Sequence, residues 1–289
     1  MYLVLGKTHF FKGSQMINNP LRQFFRRPAV FVRLPSGGKY YTPDQVEMPE
    51  NGEIPVYPMT AIDDITLRTP DGLFNGTAIA ELIKSCVPAV KDPWAVNNVD
   101  FDALLIAIRS ASGESTLELE SKCPKCEEES SYALDLLNVL AQMKSANYDA
   151  PLSINDMNIK FKPLTYKEMN QASMAQFEAQ RSFVNLESIT DENLRNQKAK
   201  ETLENITNLT MALLSSSIDY IEVPDARVTD KEFILDFLKN CDKTVYVQVR
   251  DTLAELRSTS EIKPLKVKCI HCQHEYEQPF TLNTADFFG

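Results

Sequence analysis

Four of the six cysteines of this 289-residue chain fall into two CxxC pairs, Cys123 with Cys126 in "SKCPKCEEESSYALDL" and Cys269 with Cys272 in "VKCIHCQHEYEQPF". A CxxC turn presents two thiolates to one ion, and two such turns complete the tetrahedral four-sulfur set of a ribbon-type zinc site. With all four positions filled by protein, none is left open for water, so the expected zinc is structural and performs no Lewis-acid chemistry. About half of the chain separates the pairs, whereas ribbons usually space them by roughly 15 to 20 residues. Two half-sites, completed by other chains, by His271 or His274, or left empty, therefore stand beside one shared site. A redox dithiol is the rival chemistry, and it needs a helix N-terminus to stabilise its thiolate. Here strand-like alternation follows each pair, and Glu127, Glu128 and Glu129 crowd the first, which opposes thiolate formation.

No catalytic residues are expected. His9 is isolated near the N-terminus, His271 and His274 flank the second pair, and no Ser/His/Asp arrangement or metalloprotease motif occurs. Nine glycines in the whole chain do not build a phosphate-cradling loop. No run approaches the roughly 18 consecutive apolar residues of a membrane span, and "MYLVLGKTHFFKGS" lacks the three-part plan of a secretory signal. A cytoplasmic origin with reduced thiols is the expectation.

Charge is distributed unevenly. Lys7, Lys12, Arg22, Arg26, Arg27, Arg33 and Lys39 precede the first acid, Asp44, so residues 1–43 carry +7 and, with the chain at -10, the remainder carries -17. Eight aromatics share that stretch, among them Tyr2, Phe10 and Phe11, too many for a solvated tail. The stretch is read as an arm that docks on an acidic protein surface. Its partner-binding residues are Arg22, Arg26, Arg27 and Arg33, which pair with carboxylates, and Phe24, Phe25 and Phe31, which fill apolar pockets. Nucleic acid is disfavoured, because Glu118, Glu120, Glu275 and Glu277 join the other acids at the knuckles and would repel a phosphate backbone.

The elements that must position these groups follow from periodicity. Within the arm a strand near Ala29 to Leu34, a turn at Ser36-Gly37-Gly38 and a return strand through Tyr40-Tyr41 are expected, followed by an extended connector, "MPENGEIPVYPMT". Asn75 caps a helix over "GTAIAELIKSC", and Asn98 or Asp100 caps another that carries Phe101, Leu104, Leu105 and Ile108 and exits at Gly113. Trp94 is read as a core anchor between them. Around both CxxC pairs the period becomes 2, each pair is preceded by a lysine, and each therefore tops a hairpin. Between the hairpins, "PLSINDMNIKFKPL" makes a further hairpin, and "SIDYIEV" makes a strand. Capping boxes at Thr165/Glu168 and Thr229/Glu232 mark helix starts, and helices are expected near 166–184, 191–216, 230–241 and 243–258.

The fold class is thus α+β: a split zinc-ribbon-like hairpin module, a mainly helical insertion and an extended N-terminal arm. Its parts are 1–43, the arm and hairpin; 44–136 plus 262–289, the helical and zinc-ribbon-like core; and 137–261, the insertion.

Residues 55–126, and above all "YPMTA", "TPDGLFNG", "IKSCVPAVKDPW" and "DFDALLIAIR", resemble the baseplate hub family of contractile-tailed, T-even-like bacteriophages. The resemblance implies a structural or assembly protein, made in the host cytoplasm and placed in the virion tail baseplate. Its partners would be other phage baseplate and hub proteins, with no enzymatic activity, small-molecule substrate or membrane. It implies nothing about zinc. Two further readings remain open: a hub assembly chaperone absent from the finished virion, and a zinc-ribbon nucleic-acid-binding protein.

Overall fold

One strand and two polar networks tie the N-terminal segment to the body. The structure, a computed structural model, describes residues 19–186, 191–280, 282, 287 and 288; Lys7, His9 and Lys12, with Tyr2, Phe10 and Phe11, lie outside them. Strand β1 (Val30–Val32) pairs antiparallel with β2 (Ile54–Val56), Val32 opposite Ile54. The expected partner was Tyr40-Tyr41, and β2 lies in the segment expected to be an extended connector. The turn does form, with Gly37 and Gly38 at φ 65° and 77°. Beyond it Tyr41 is drawn inward: its hydroxyl donates to Asp100 at 2.6 Å and accepts from the Asn97 amide side chain at 2.6 Å. Ile54 and Val56, both 0% exposed, then supply the apolar partner that β1 requires.

Four helices build the first core: α1 (Ala61–Leu67), α2 (Pro70–Phe74), α3 (Thr77–Cys86) and α4 (Asn98–Ala111). A capping box at Thr60 and Asp63 starts α1. The α3 start needs Gly76, at φ 78°, because a Cβ there would meet the Tyr166 hydroxyl at 2.5 Å. The cap of α4 falls one residue earlier than expected, on Asn97, whose side chain accepts from the Asp100 amide. Leu104, Leu105, Ile106 and Ile108 of α4 are fully buried, each contributing about 1.5–3 kcal/mol of transfer free energy. Trp94 stacks on Tyr166 at 5.0 Å, and Phe101 stacks on the same ring at 4.1 Å, so the anchor is a pile of three rings.

Next come β3 (Thr116–Lys122), β4 (Glu129–Asp135) and α5 (Leu136–Gln142), the last not anticipated and capped by Asp135. Then β5 (Leu152–Ile154) and β6 (Met157–Phe161) form the expected hairpin with Asn155 at φ 51° in its turn. Helices α6 (Tyr166–Leu186) and α7 (Glu192–Ser217), strands β7 (Ile218–Val223) and β8 (Ala226–Val228), and helices α8 (Lys231–Asn240) and α9 (Lys243–Ser260) complete this part. Here the sheet runs β5-β6-β7-β8, all antiparallel. A second core gathers Ile159, Phe161 and Ile218 of the sheet with Ile234 of α8 and Val249 of α9.

The chain closes with β9 (Leu265–Lys268) and β10 (Glu275–Gln278). Leu117, Leu119, Leu134 and Leu265 lay the apolar sides of both hairpins on the first core. Phe287 returns to that core as well; Arg109 donates to its carbonyl and sits 4.9 Å from its ring. The chain is therefore a mixture of helices and small antiparallel sheets, α+β in class.

Candidate metal centre

The two cysteine hairpins repeat one local design. In each, the last strand pair before the tip is lysine opposite glutamate: Lys122 with Glu129, Lys268 with Glu275. The first cysteine then donates its amide across the tip, Cys123 to Glu128 at 3.0 Å and Cys269 to His274 at 2.9 Å, and its carbonyl receives the amide of Glu127 or Gln273 at 2.9 Å. Those two receiving turns are closed by left-handed residues, Glu127 at φ 62° and Gln273 at φ 60°. The result aims both sulfurs of each pair at one point.

The hairpins face each other. Ser121, 5% exposed, pairs with the Tyr276 hydroxyl at 2.8 Å and donates to Gln278 at 2.6 Å, while Tyr132 donates to the Lys268 carbonyl at 3.2 Å. These bonds fix the tips so that all four sulfurs lie within 4.8 Å of one another. Between the hairpins, Cys123 lies 3.7 Å from Cys272 and Cys126 lies 3.6 Å from Cys269. A zinc tetrathiolate with Zn–S of about 2.3 Å has tetrahedral edges of about 3.8 Å, so the sulfur set fits such an ion. No pair is joined as a disulfide. Among the described residues no other group of three or more His, Cys, Asp or Glu side chains converges in this way; His271 and His274 do not join the set, and the His274 ring lies on Tyr276 at 6.2 Å.

Electrostatics divide the two thiols of the first pair. For Cys123, desolvation acts upward, but the amides of Cys126 and Lys125 and the thiols of Cys126 and Cys272 outweigh it and bring the thiol to about 6. For Cys126 the Glu128 amide acts downward, and desolvation with the thiols of Cys272, Cys269 and Cys123 overrides it, pushing the thiol up to about 12. Cys123 thus ionises more readily than Cys126. A metal must displace the thiol protons, so its affinity falls in acid.

The arm residues are distributed less uniformly than their sequence suggests. Arg22 and Arg27 are exposed, as are Phe24 (76%), Phe25 (59%) and Phe31 (60%). Arg26 instead turns inward: it donates to the Pro58 carbonyl at 2.6 Å, to Asp63 at 3.3 Å, and to the Ser85 carbonyl at 2.8 Å. Arg33 pairs with Glu53 at 3.0 Å, and Lys39 with Asp149 at 3.1 Å. Sequence reasoning could not see the inward turn of Arg26, because its acceptors come from α1, α3 and the segment before them and carry no local signal.

A family model described as "T4 bacteriophage base plate protein" matches residues 34–289. That span extends far beyond residues 55–126 and includes both cysteine pairs, while the arginines and phenylalanines of the arm precede it. No curated protein and no solved structure matches the chain.

Proposed function

The chain belongs to the T4 bacteriophage base plate protein family, and on that premise we propose that it is a non-enzymatic component of the baseplate hub, needed for tail assembly and stapled by one structural zinc ion. The family match over residues 34–289 carries the reading. A baseplate component works by holding fixed surfaces against neighbours, and its ligands are other phage structural proteins. No helix among the described residues is long and apolar enough to cross a membrane.

Zinc bound by Cys123, Cys126, Cys269 and Cys272 would supply cross-linking and no reaction chemistry. Support comes from the four sulfurs within 4.8 Å on two matched knuckles. Structural zinc is worth on the order of 10 kcal/mol in peptide systems, and loop-closure entropy grows only slowly with loop length. One ion therefore outweighs the closure of half the chain. We divide the protein accordingly into an arm at 1–43, a core of 44–136 plus 262–289, and an inserted unit at 137–261; a second hydrophobic cluster of its own supports a separate inserted unit, while the first cluster also takes in Val32 and Leu34 from the arm and Val139 and Tyr166 from beyond residue 136.

Arg22, Arg27, Phe24, Phe25 and Phe31 form the docking face of the arm in this reading, with Arg26 as its internal anchor and Arg33 bridged to Glu53 at its border. Mass spectrometry of purified virions tests placement in the hub: the expected result is the chain at a fixed ratio to other baseplate proteins. Its absence from virions, with tails still failing to form without it, would make it an assembly chaperone instead.

A further inference from the structure

Two complementary surfaces of this chain are left unpaired within it. On the arm, Arg22 and Arg27 are exposed and, among the described residues, enter no ion pair, with Phe24 and Phe25 exposed beside them. On the knuckles, Glu120, Glu128, Glu129, Glu275 and Glu277 are exposed and equally unpaired among the described residues. Ile270, 63% exposed, stands among them at the tip of the second knuckle. A dication held by four thiolates adds about -2 to this acidic surface. Exposed Lys122, Lys125, Lys266 and Lys268 share the knuckles, but Glu118, Glu120, Glu127, Glu128, Glu129, Glu275 and Glu277 outnumber them, so each surface joins net charge of one sign to an apolar centre, and the two signs are opposite.

They do not meet in one chain. The bonds of Arg26 to Pro58, Asp63 and Ser85 hold the arm against α1 and α3, and among the described residues neither Arg22 nor Arg27 forms an ion pair with a knuckle acid. We infer that the arm of one copy docks on the metal-stapled knuckles of a second copy, head to tail. The inference rests on the proposal that the knuckles form one zinc-bound unit. Because the two surfaces differ, the contact is heterologous, and its repetition about an axis generates a ring or, without closure, a filament. Opposite charge sets the encounter and its salt dependence, while Phe24 and Phe25 against Ile270 supply the desolvated centre.

Charge exchange on the full-length, zinc-loaded protein tests this by sedimentation velocity and native mass spectrometry. One variant carries Arg22→Glu with Arg27→Glu, and the other carries Glu128→Lys with Glu129→Lys. The wild type is expected to associate at low salt and to dissociate as salt is raised. Each variant alone should associate at least about tenfold more weakly. An equimolar mixture should form pairs containing one of each, since the second variant keeps its arm and the first keeps its acidic knuckles. Zinc is measured on every sample: wild type that lacks the metal speaks against the zinc reading itself. Zinc-loaded wild type that stays monomeric, an arm variant that associates like the wild type, or a mixture that stays monomeric overturns the docking.

Discussion

Glu127 and Gln273 occupy the same place in two distant hairpins: each directly follows the second cysteine of its knuckle, and each is left-handed, at φ 62° and 60°. A non-glycine residue there carries about 1–2 kcal/mol of backbone strain. The matching strain at both tips indicates that the knuckle geometry, which aims the sulfurs, outweighs the local preference of either side chain.

Replacing either residue by glycine is therefore expected to stabilise the zinc-loaded protein slightly, by about 0–1 kcal/mol once the greater freedom of glycine in the unfolded chain is set against the relieved strain. Glu127→Val, with a branched Cβ in the same conformation, should destabilise it by about 1–2 kcal/mol. Thermal unfolding of the loaded variants measures both; equal stability of the valine and glycine variants would refute the strain argument.

Elemental analysis of protein purified without chelator is expected to give close to one zinc per chain, and cobalt exchange to give a tetrathiolate spectrum. Cys269→Ser should lose the ion while the second core around Ile159, Phe161 and Val249 stays folded, because that core shares no side chain with the knuckles. Protons compete for the same sulfurs, so zinc is held at neutral pH and released as the pH falls. Retention of the metal by the Cys269→Ser variant would contradict a four-sulfur site.

Arg26→Ala should cost about 1–3 kcal/mol, since it leaves the mostly buried Asp63 without its cation and the Pro58 and Ser85 carbonyls without their donor. For Asp63, burial acts upward, but hydrogen bonds from Thr60 and Ser85 and the Arg26 charge hold its pKa below the usual carboxylate value. Its contribution is thus complete above the unfolded value of about 3.9 and is lost as the pH falls through the lower folded value. The difference in melting temperature between wild type and Arg26→Ala should accordingly shrink in that acid range. A difference independent of pH would show that Asp63 is not the operative partner.

Asp100 is 0% exposed and accepts from the Ser36 amide and hydroxyl, the Tyr41 hydroxyl and the Asn97 side chain. Asp100→Asn turns an amide donor toward existing donors and is expected to cost about 2–4 kcal/mol by equilibrium unfolding. Tyr41→Phe removes one donor and the acceptor of Asn97, and about 1–2 kcal/mol should be lost. A neutral Asp100→Asn change would mean that the network does not hold the N-terminal segment in place.

Much of this architecture was legible in the residues because it is encoded over short distances. The helices α6, α7, α8 and α9 were located within a few residues; the Thr165/Glu168 capping box forms at α6, whereas α8 is capped by Asp230 in place of the expected Thr229. Period-2 alternation with a leading lysine marked both knuckle hairpins, and the chemistry of thiolates singled out the four cysteines as metal ligands while leaving open whether they hold one shared ion. Helix α5 escaped because it is two turns long and continues directly from a strand, where seven residues show little periodicity.

What only the tertiary structure decided concerns partners far apart in the chain. Tyr40 and Tyr41 look like one strand, yet Tyr40 meets Tyr148 beside the second core while Tyr41 enters the Asp100 network of the first. Arg26 reads as one of a row of free cations, yet it is the one whose guanidinium fits acceptors on separate elements. Alternation, caps and ligand types are local properties that the sequence determines by itself. The pairing of β1 with β2, the inward turn of Arg26 and the approach of the two sulfur pairs depend on which distant groups win the competition for burial and hydrogen bonds, and that is settled only when the whole chain packs.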